Sequence, residues 1–172
     1  MPHLSRRLVA ALAMLVVLVT PALAAAQQLV LVVRHAERAD AGATAAEMRA
    51  APDPPLSAAG KARAEKLAAM LADARISGIY VTEFKRTQQT AEPLAAKLGL
   101  TTKVMSSKDT AALIADIKSR HGHDVVLVVA HSDTAPEIIK AFSGPTVTIA
   151  DDEFDNLFIV VPGTGAFTRI KY

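Results

Sequence analysis

The stretch Leu-Val-Leu-Val-Val-Arg-His at residues 29–35 decides the fold class of this chain. Its first five residues form an unbroken apolar run, which is typical of a strand buried on both faces in a parallel sheet. A second such run, Val-Val-Leu-Val-Val-Ala at residues 125–130, is also followed by a histidine, His131. In open α/β sheets, ligands bind beyond the carboxyl ends of the strands. The two runs therefore predict central strands that present His35 and His131 at one ligand-binding edge.

The segments around these two runs alternate between helical and extended patterns. Helices are predicted from a cap at Ser57 to about residue 72, over residues 85–98 and 110–119, and from a capping-box pattern formed by Thr134 and Glu137. Strands are predicted at residues 79–81 and 101–105, and a hairpin at the sheet edge at 157–161 and 166–171. This alternation, without linkers or repeats, predicts one α/β domain: a three-layer α/β/α sandwich with a mainly parallel central sheet.

The composition of the 172 residues excludes several classes of protein. Without cysteine there is neither a disulfide nor a thiolate metal site, and the close pair His121 and His123 is expected to be exposed in a loop rather than to bind metal. Lysine plus arginine (19) exceed aspartate plus glutamate (17) only by Arg6 and Arg7, so residues 27–172 have no formal net charge. Because those residues show no basic cluster with interleaved aromatics, we expect no nucleic-acid partner.

Residues 1–26 have the three parts of a secretory signal peptide. Arg6 and Arg7 form a positive start, residues 8–19 are uninterrupted apolar residues, and small residues follow Pro21 at the cleavage positions. The apolar run is shorter than the roughly 20 residues of a membrane-spanning helix. We therefore expect residues 27–172 to be the mature domain, periplasmic or secreted and free of the membrane. An uncleaved N-terminal anchor is the alternative.

Arginines accompany the histidines at the predicted edge of the sheet. Arg34 directly precedes His35, and Arg86 stands at a predicted helix start. A phosphate monoester has a charge of about −1.5 to −2 near neutral pH. Guanidinium groups bind its oxygens in pairs, helix N-termini favour anions, and a neutral imidazole is a competent nucleophile toward phosphorus. These residues, together with His131, predict a site for a small phosphorylated substrate.

Four motifs resemble the histidine phosphatases, the superfamily that includes the cofactor-dependent phosphoglycerate mutases. They are Arg-His-Ala-Glu at residues 34–37, Leu-Ser-Ala-Ala-Gly at 56–60, Arg-Thr-Gln-Gln-Thr-Ala at 86–91 and the strand that ends in His131. The motifs occur in the family order and span about 100 residues, and four motifs in order are far more specific than one. The compact chain looks more like the small phosphatase members than like the mutases.

The resemblance implies a phosphoglycerate mutase-like fold and a metal-independent phosphatase without a cofactor. His35 would attack phosphorus and become phosphohistidine, which water would hydrolyse. Arg34, Arg86 and His131 would bind the phosphoryl oxygens and supply the positive charge that Mg²⁺ would otherwise provide. The substrates would be phosphate monoesters or phosphohistidine. Arg38, where many relatives have Ser or Thr, is either a further phosphate contact or a solvent-facing residue.

No motif identifies the group that protonates the leaving group. The mutases use a glutamate whose segment is shortened here to about residues 103–109, so Glu83, Asp133 and Glu37 are the candidates for a general acid or an orienting group. Each also has a structural interpretation, Asp133 as a helix-start residue, Glu83 as a solvated side chain and Glu37 as a backbone cap. Two alternative functions follow from this: a phospho-ligand-binding module without catalysis, and a phosphomutase. The sequence carries no feature that specifies an oligomeric state.

Overall fold

The fold is built on a six-stranded sheet, seen in a computed structural model that describes residues 28–40, 42, 44, 46 and 52–172. The strands in this part of the chain are β1 (Leu29–Arg34), β2 (Ile76–Thr82), β3 (Thr102–Met105), β4 (Val125–Ala130), β5 (Asn156–Val161) and β6 (Ala166–Lys171). The helices are α1 (Ala58–Met70), α2 (Lys85–Leu98), α3 (Thr110–Arg120) and α4 (Thr134–Ala141). The order of strands across the sheet is β3-β2-β4-β1-β5-β6.

The sheet has a parallel part and an antiparallel edge. Strands β3, β2, β4 and β1 run parallel, with Arg34 of β1 opposite Ala130 of β4. Strand β5 joins β1 in antiparallel orientation and forms a hairpin with β6 at the edge. The predictions of a mainly parallel sheet and of a terminal hairpin are therefore confirmed. Strand β2 is longer than the predicted residues 79–81, because Ile76 already pairs with β4.

Helices cover both faces of the sheet, as the alternation of side chains along β1 requires. Val30 and Val32 face one apolar cluster, to which α3 and α4 contribute buried residues. Leu31 and Val33 face the opposite cluster, to which α1 and α2 contribute. Because β1 is buried on both sides, its sequence is continuously apolar rather than alternating. The predicted three-layer α/β/α sandwich is confirmed.

The start of α1 explains the motif at residues 56–60. Ser57 caps the helix, and its side chain accepts a hydrogen bond from the N–H of Gly60 at 3.0 Å. The segment that follows β1 crosses this turn so closely that a Cβ at Gly60 would lie 2.2 Å from the carbonyl oxygen of Glu37. The glycine therefore lets the helix start pack on the segment that carries His35. This motif shapes the site without lining it.

The start of α4 differs from the prediction. The N-cap is Asp133, whose carboxylate accepts from the N–H of Thr134 at 2.8 Å. The hydroxyl of Thr134 accepts instead from the N–H of His131 at 3.1 Å. The predicted capping box, with Thr134 as the cap, is wrong because the chain enters the helix one residue earlier and the Thr134 hydroxyl turns back to the strand end.

The predicted signal peptide, residues 1–26, lies outside the described residues. Among the residues that are described, no helix combines the length and the apolar character that crossing a bilayer would require.

Candidate active site

The two histidines meet at the carboxyl edge of the parallel strands. His35 follows the last residue of β1, His131 follows the last residue of β4, and the N–H of His35 donates to the carbonyl of Ala130 at 2.9 Å. Their ring centroids lie 5.3 Å apart, and the two residues are only 4% and 9% exposed. Both imidazoles therefore lie at one edge of the sheet, as the sequence predicted.

The ring of His35 is oriented by its own backbone. Its Nδ1 lies 2.8 Å from the carbonyl oxygen of Ala36. A carbonyl oxygen only accepts, so Nδ1 carries the proton and Nε2 keeps a lone pair. Burial is the main cause that lowers the pKa of His35 to about 3; the hydrogen bond to Ala36 opposes this shift and the charge of Arg86 adds to it. At neutral pH the ring is neutral, with Nε2 available as a nucleophile.

His131 is held by side chains from two other elements. Its Nε2 lies 3.0 Å from the hydroxyl of Thr82, the last residue of β2, and its Nδ1 lies 3.5 Å from an Nη atom of Arg86. Burial, followed by the positive charge of Arg86, lowers the pKa of His131 to about 4. The ring of Phe84 packs edge-on against the imidazole at 5.4 Å. This second histidine is therefore also neutral at neutral pH before any anion binds.

Arg34 connects the sheet edge to the loop before β5. One of its Nη atoms donates to the carbonyl oxygens of Ala150 at 2.9 Å, Asp151 at 3.0 Å and Glu153 at 3.3 Å. Its guanidinium lies 4.1 Å above the ring of Phe154. The Nε atom is buried and has no partner among the described residues. One side of this guanidinium is thus fixed by backbone carbonyls, and its Nε donor is left without a partner among the described residues.

Arg86, in the first turn of α2, makes weaker contacts. Its guanidinium lies 4.1 Å above the ring of Phe84, and its nearest carboxylate oxygen, on Asp53, is 3.9 Å away. Its Nε atom is buried without a partner among the described residues. The two arginines therefore share one construction, a guanidinium stacked on a phenylalanine with a donor left over. Such unpaired guanidinium donors suit the bidentate binding of a phosphoryl group.

The histidines and arginines line a cleft of about 510 Å³. Six of the eight site residues predicted from the sequence line this cleft: Arg34, His35, Arg38, Arg86, His131 and Asp133. Glu37 and Glu83 are not among its lining residues. Two other grooves run along α2, and their lining contains neither an imidazole nor a guanidinium. The cleft at the sheet edge is where the chemistry-bearing side chains converge.

The two glutamates outside the lining have other partners. Glu37 forms a bidentate pair with Arg63 of α1, with Nε to carboxylate distances of 2.9 Å. Glu83 accepts from both the N–H and the hydroxyl of Ser107, each at 2.8 Å. Arg38 lines the cleft but pairs with the carboxylate of Asp40, at 2.8 Å from its Nε. Arg38 is thus already neutralised locally, unlike Arg34 and Arg86.

Several residues that line the cleft or stack on its arginines were not anticipated from the sequence. The aromatic supports Phe84 and Phe154 stack on the arginines, and Ser107 and Lys108 form the wall on the side of α3. Phe84 had a signal, because it lies two residues before Arg86 at the start of a helix. Phe154 had none, because the segment containing it is irregular and reaches the site only through the tertiary fold.

The described residues contain no group of three or more His, Asp or Glu side chains placed to hold a metal ion. His121, expected to be exposed, is instead half-buried: it packs edge-on against Tyr80 and its Nδ1 lies 2.8 Å from a carboxylate oxygen of Asp124. Positive charge in the cleft comes from guanidinium groups and from Lys108. The arrangement can bind a tetrahedral oxyanion and place a neutral imidazole Nε2 against it.

Comparison with known families gives a match over part of the chain. The model of the histidine phosphatase superfamily, branch 1, matches residues 30–109, a range that includes His35 and Arg86 but ends before His131. No curated protein matches the chain.

Solved structures share the fold at low sequence identity. The protein histidine phosphatase SixA, in complex with tungstate, is 21% identical, with a TM-score of 0.57, over 83% of this chain and 94% of that one. A mycobacterial glucosyl-3-phosphoglycerate phosphatase, in complex with VO3, is 13% identical, with a TM-score of 0.63, over 84% and 98%. A mycobacterial hydrolase is 12% identical, with a TM-score of 0.58, over 84% and 96%. At such identities the likeness shows the fold, which is the phosphoglycerate mutase-like fold.

Proposed function

We propose that this chain, which belongs to the histidine phosphatase superfamily, is a metal-independent phosphatase that works through a phosphohistidine on His35. The observation that carries the proposal is the orientation of the His35 ring. Its Nδ1–H donates to the carbonyl of Ala36, so the free nitrogen of a neutral imidazole is the Nε2 atom, in a cleft that also contains Arg34 and Arg86.

In the first step, Nε2 of His35 attacks phosphorus in line with the ester oxygen. The Nε2–P bond forms, the P–O bond to the alcohol breaks, and the alkoxide takes a proton. The ring becomes a cation on forming the bond, and the carbonyl of Ala36 stabilises this charge through its hydrogen bond to Nδ1–H. No proton has to leave the nucleophile before it attacks, because the pKa of His35 is far below neutral pH.

Arg34, Arg86 and His131 stabilise the phosphoryl oxygens. The unpaired Nε donors of the two arginines are charge-assisted partners for these oxygens. Because the cleft is partly buried and the phenylalanines fix the guanidinium planes, these donors are held in place before the substrate arrives. His131 completes the set once its Nδ1 takes up a proton, which a bound dianion favours.

Asp133 is the carboxyl group that we assign as the proton donor to the leaving group. It lines the cleft beside His131 and uses one oxygen, Oδ1, to cap α4. By contrast, both oxygens of Glu83 accept from Ser107, and Glu37 pairs with Arg63 outside the cleft lining. In the second step the carboxylate accepts a proton from water, water oxygen attacks phosphorus, and the Nε2–P bond breaks to release inorganic phosphate.

The substrate class is a phosphate monoester or a phosphohistidine. The cleft is lined mainly by charged and hydroxyl side chains, which suits a polar phosphorylated group rather than an apolar one. The fold neighbours include a protein histidine phosphatase and a glucosyl-3-phosphoglycerate phosphatase, whose names give a phosphohistidine and a phosphate monoester as their substrates.

The first test is phosphate release from an aryl phosphate by the full chain, with chelator present, beside the His35→Ala variant. We expect activity that resists the chelator and falls at least about 10⁴-fold in the variant. A folded wild-type protein that binds vanadate but releases no phosphate would overturn the proposal in favour of a phospho-ligand-binding module. Transfer of the phosphoryl group to a second position of the substrate would indicate a phosphomutase.

A leaving-group comparison tests the assignment of Asp133. Alkoxides need a proton far more than phenolates do, so Asp133→Asn should lower kcat on an alkyl phosphate about 10²-fold and on an activated aryl phosphate only a few-fold. Glu83→Gln is the matched control, because it removes a carboxylate of the same neighbourhood. If Glu83→Gln shows the leaving-group dependence and Asp133→Asn does not, the roles are reversed.

We also propose that residues 1–26 export the protein to the periplasm or the medium. The proposal rests on the sequence pattern of a positive start, an apolar run and small residues before residue 27. Mass spectrometry of the chain recovered outside the cytoplasm should show an N-terminus near residue 27. Recovery of an intact Met1 in a membrane fraction would instead indicate the uncleaved anchor.

A further inference from the structure

A chain of hydroxyl groups runs from His131 into the start of α2. Nε2 of His131 lies 3.0 Å from Oγ1 of Thr82, which lies 2.9 Å from Oγ1 of Thr87, which in turn lies 2.8 Å from the carbonyl oxygen of Phe84. His131 and both threonines are buried, with Thr87 fully inaccessible. At these distances each link is a normal hydrogen bond.

The carbonyl end of this chain gives it a direction. The Thr87 hydroxyl lies beside two carbonyl oxygens, that of Phe84 at 2.8 Å and that of Thr82 at 3.1 Å. A carbonyl oxygen only accepts, so the hydroxyl donates its single proton to this carbonyl pair. Thr87 Oγ1 then accepts from its other neighbours, among them the N–H of Thr82 at 3.2 Å. The Thr82 hydroxyl must therefore donate to Thr87, and its remaining lone pair faces His131. For Thr82 to accept, Nε2 of His131 must carry the proton.

The other nitrogen of the His131 ring favours the same tautomer independently, before any anion binds. Nδ1 of His131 faces an Nη atom of Arg86 at 3.5 Å. A guanidinium only donates, so a proton on Nδ1 would set two donors against each other, whereas a lone pair on Nδ1 is a partner for Arg86. A carbonyl at one end and a cation at the other thus assign the same tautomer to the neutral ring.

We infer that Thr82 and Thr87 are positioning residues that hold His131 as the Nε2–H tautomer and so reserve its Nδ1 for the ligand in the cleft. The inference goes beyond the proposed function in assigning the tautomer and the residues that set it. It rests on the proposed function only in making a phosphoryl group that ligand. Both threonines act through His131 and are not placed against the substrate.

The tautomer decides how the ring can serve an anion. With Nε2–H already given to Thr82, the proton that arrives with a phosphoryl dianion can go only to Nδ1, where it points at the ligand. With the opposite tautomer, Nε2 would face Thr82 as an acceptor, and the Thr82 hydroxyl would have to turn away from Thr87. The hydroxyl groups of Thr82 and Thr87 therefore fix the His131 ring before the anion binds. The ring then does not have to reorganise during the reaction.

The test is the ¹⁵N spectrum of the imidazole rings in the full chain, labelled at histidine and recorded at neutral pH, together with kcat/KM on an aryl phosphate. Protonated and unprotonated ring nitrogens differ widely in chemical shift, so the spectrum reports the tautomer directly. The variants are Thr87→Val, which removes the hydroxyl and keeps the shape, and Thr87→Ser, which restores the hydroxyl. Thr168→Val, on the exposed edge strand β6, is the matched control for the chemical change.

We expect the wild type, Thr87→Ser and Thr168→Val to show a protonated Nε2 on His131. Thr87→Val frees the Thr82 hydroxyl to donate to Nε2, so its spectrum should move toward the Nδ1–H form and kcat/KM should fall about tenfold, the size of one lost hydrogen bond. A wild type with a protonated Nδ1, or a Thr87→Val variant with unchanged spectrum and activity, would overturn the inference.

Two controls keep the result decisive. If Thr87→Val does not fold, the wild-type spectrum still tests the direction of the hydrogen bonds along the hydroxyl chain. Thr82→Val, which removes the acceptor for Nε2–H of His131, then replaces Thr87→Val as the variant. If the wild type shows a protonated Nε2 on His131 but releases no phosphate, the inference about Thr82 and Thr87 is supported and the proposed function is overturned.

Discussion

The two histidines of the cleft reach the same sheet edge from neighbouring parallel strands, yet they are held in opposite ways. His35 is fixed at Nδ1 by the carbonyl of the next residue, Ala36, and presents Nε2. His131 is fixed at Nε2 by the hydroxyl of Thr82, from a different strand, and presents Nδ1. One ring is held locally by backbone and the other remotely by side chains.

This difference matches the different tasks proposed for the two rings. A nucleophile must present one nitrogen in line with the bond it breaks. A backbone carbonyl one residue away fixes that geometry without depending on the position of any other side chain. A ring that binds oxygens must instead change its protonation when the anion arrives. Because His131 is held by side chains and lies next to Arg86, the change in its protonation is coupled to a residue that binds the anion.

The largest effect should separate the two rings by chemistry. Without the nucleophile, His35→Ala should form no covalent adduct, and kcat/KM should fall at least about 10⁴-fold. His131→Ala should still form the adduct, more slowly, with a loss of about 10²- to 10³-fold, typical of removing one stabilising donor. Rapid quenching with labelled substrate measures the adduct, which should be labile to acid and stable to alkali because it has a P–N bond.

An acid-stable adduct, or an adduct that persists in His35→Ala and disappears in His131→Ala, would reverse the assignment of the two rings. Both variants need a check that they are folded, because each removes a buried side chain. Binding of vanadate by His35→Ala would serve, since Arg34 and Arg86 remain in place.

The residues that the sequence could predict are those whose position follows from their own element. His35 and His131 follow unbroken apolar strands, and parallel strands bring their carboxyl ends to one edge. Arg86 follows from its place in a helix start. For these three, local pattern and general topology were sufficient.

The residues that the sequence could not place depend on contacts between distant segments. Phe154 reaches Arg34 only through the loop before β5, and Ser107 takes both oxygens of Glu83, a carboxylate whose sequence position is close to the site. Thr82 and Thr87 read as ordinary strand and helix residues. Their inferred role depends on which atoms meet between buried elements, and the spacing of residues along the sequence does not show this.

The second largest effect concerns the proton that His131 must gain. Burial and Arg86 lower its pKa to about 4 in the free protein, so an oxyanion that needs Nδ1–H must bring about proton uptake. Affinity should therefore fall as pH rises, by at most about tenfold per pH unit. Sulfate is the probe, because it stays a dianion from pH 5 to 8, and calorimetry is the measurement.

The control for this experiment is His131→Gln, which should bind sulfate more weakly and without the dependence on pH. If the wild type binds sulfate equally well at pH 5 and pH 8, the free ring already carries the proton or never receives one. The first outcome would contradict the neutral form assigned to the free His131 ring, and the second would contradict proton uptake at Nδ1 when an anion binds.

A smaller effect should appear in stability against pH. The pKa values of His35 and His131 are lowered by burial to about 3 and about 4, below the value of about 6.5 in an unfolded chain. The unfolded chain therefore binds more protons as the pH falls. The stabilisation is complete above pH 6.5 and is lost progressively down to the folded-state values. Between pH 7 and pH 5 each histidine should contribute a loss of about 1 kcal/mol, after allowance for solvent screening.

Urea unfolding at pH 7 and pH 5 measures this loss. His35→Gln and His131→Gln should each lose less stability on acidification than the wild type does, whatever their stability at pH 7. The window above pH 5 is chosen because the carboxylates titrate mainly below it. An equal loss in wild type and both variants would show that the two rings are not buried in the neutral form.

The smallest effect tests whether His35 is held only by its own backbone. Glu37 lies two residues after His35 and pairs with Arg63, which also donates to the carbonyl of Tyr172 at 3.1 Å. Because this pair is partly exposed, Glu37→Gln should lower the free energy of unfolding by about 1 kcal/mol. It should leave kcat/KM within about twofold, since the hydrogen bond from Nδ1 to Ala36 does not involve Glu37.

A double-mutant cycle with Arg63→Met separates the pair from the rest of each side chain. If Glu37→Gln instead lowers kcat/KM more than tenfold while the protein remains folded, the orientation of His35 depends on the ion pair. Both rings would then be held remotely, by side chains of other elements. The contrast between a local and a remote histidine would then fail, and α1 would have to be counted among the elements that position the nucleophile.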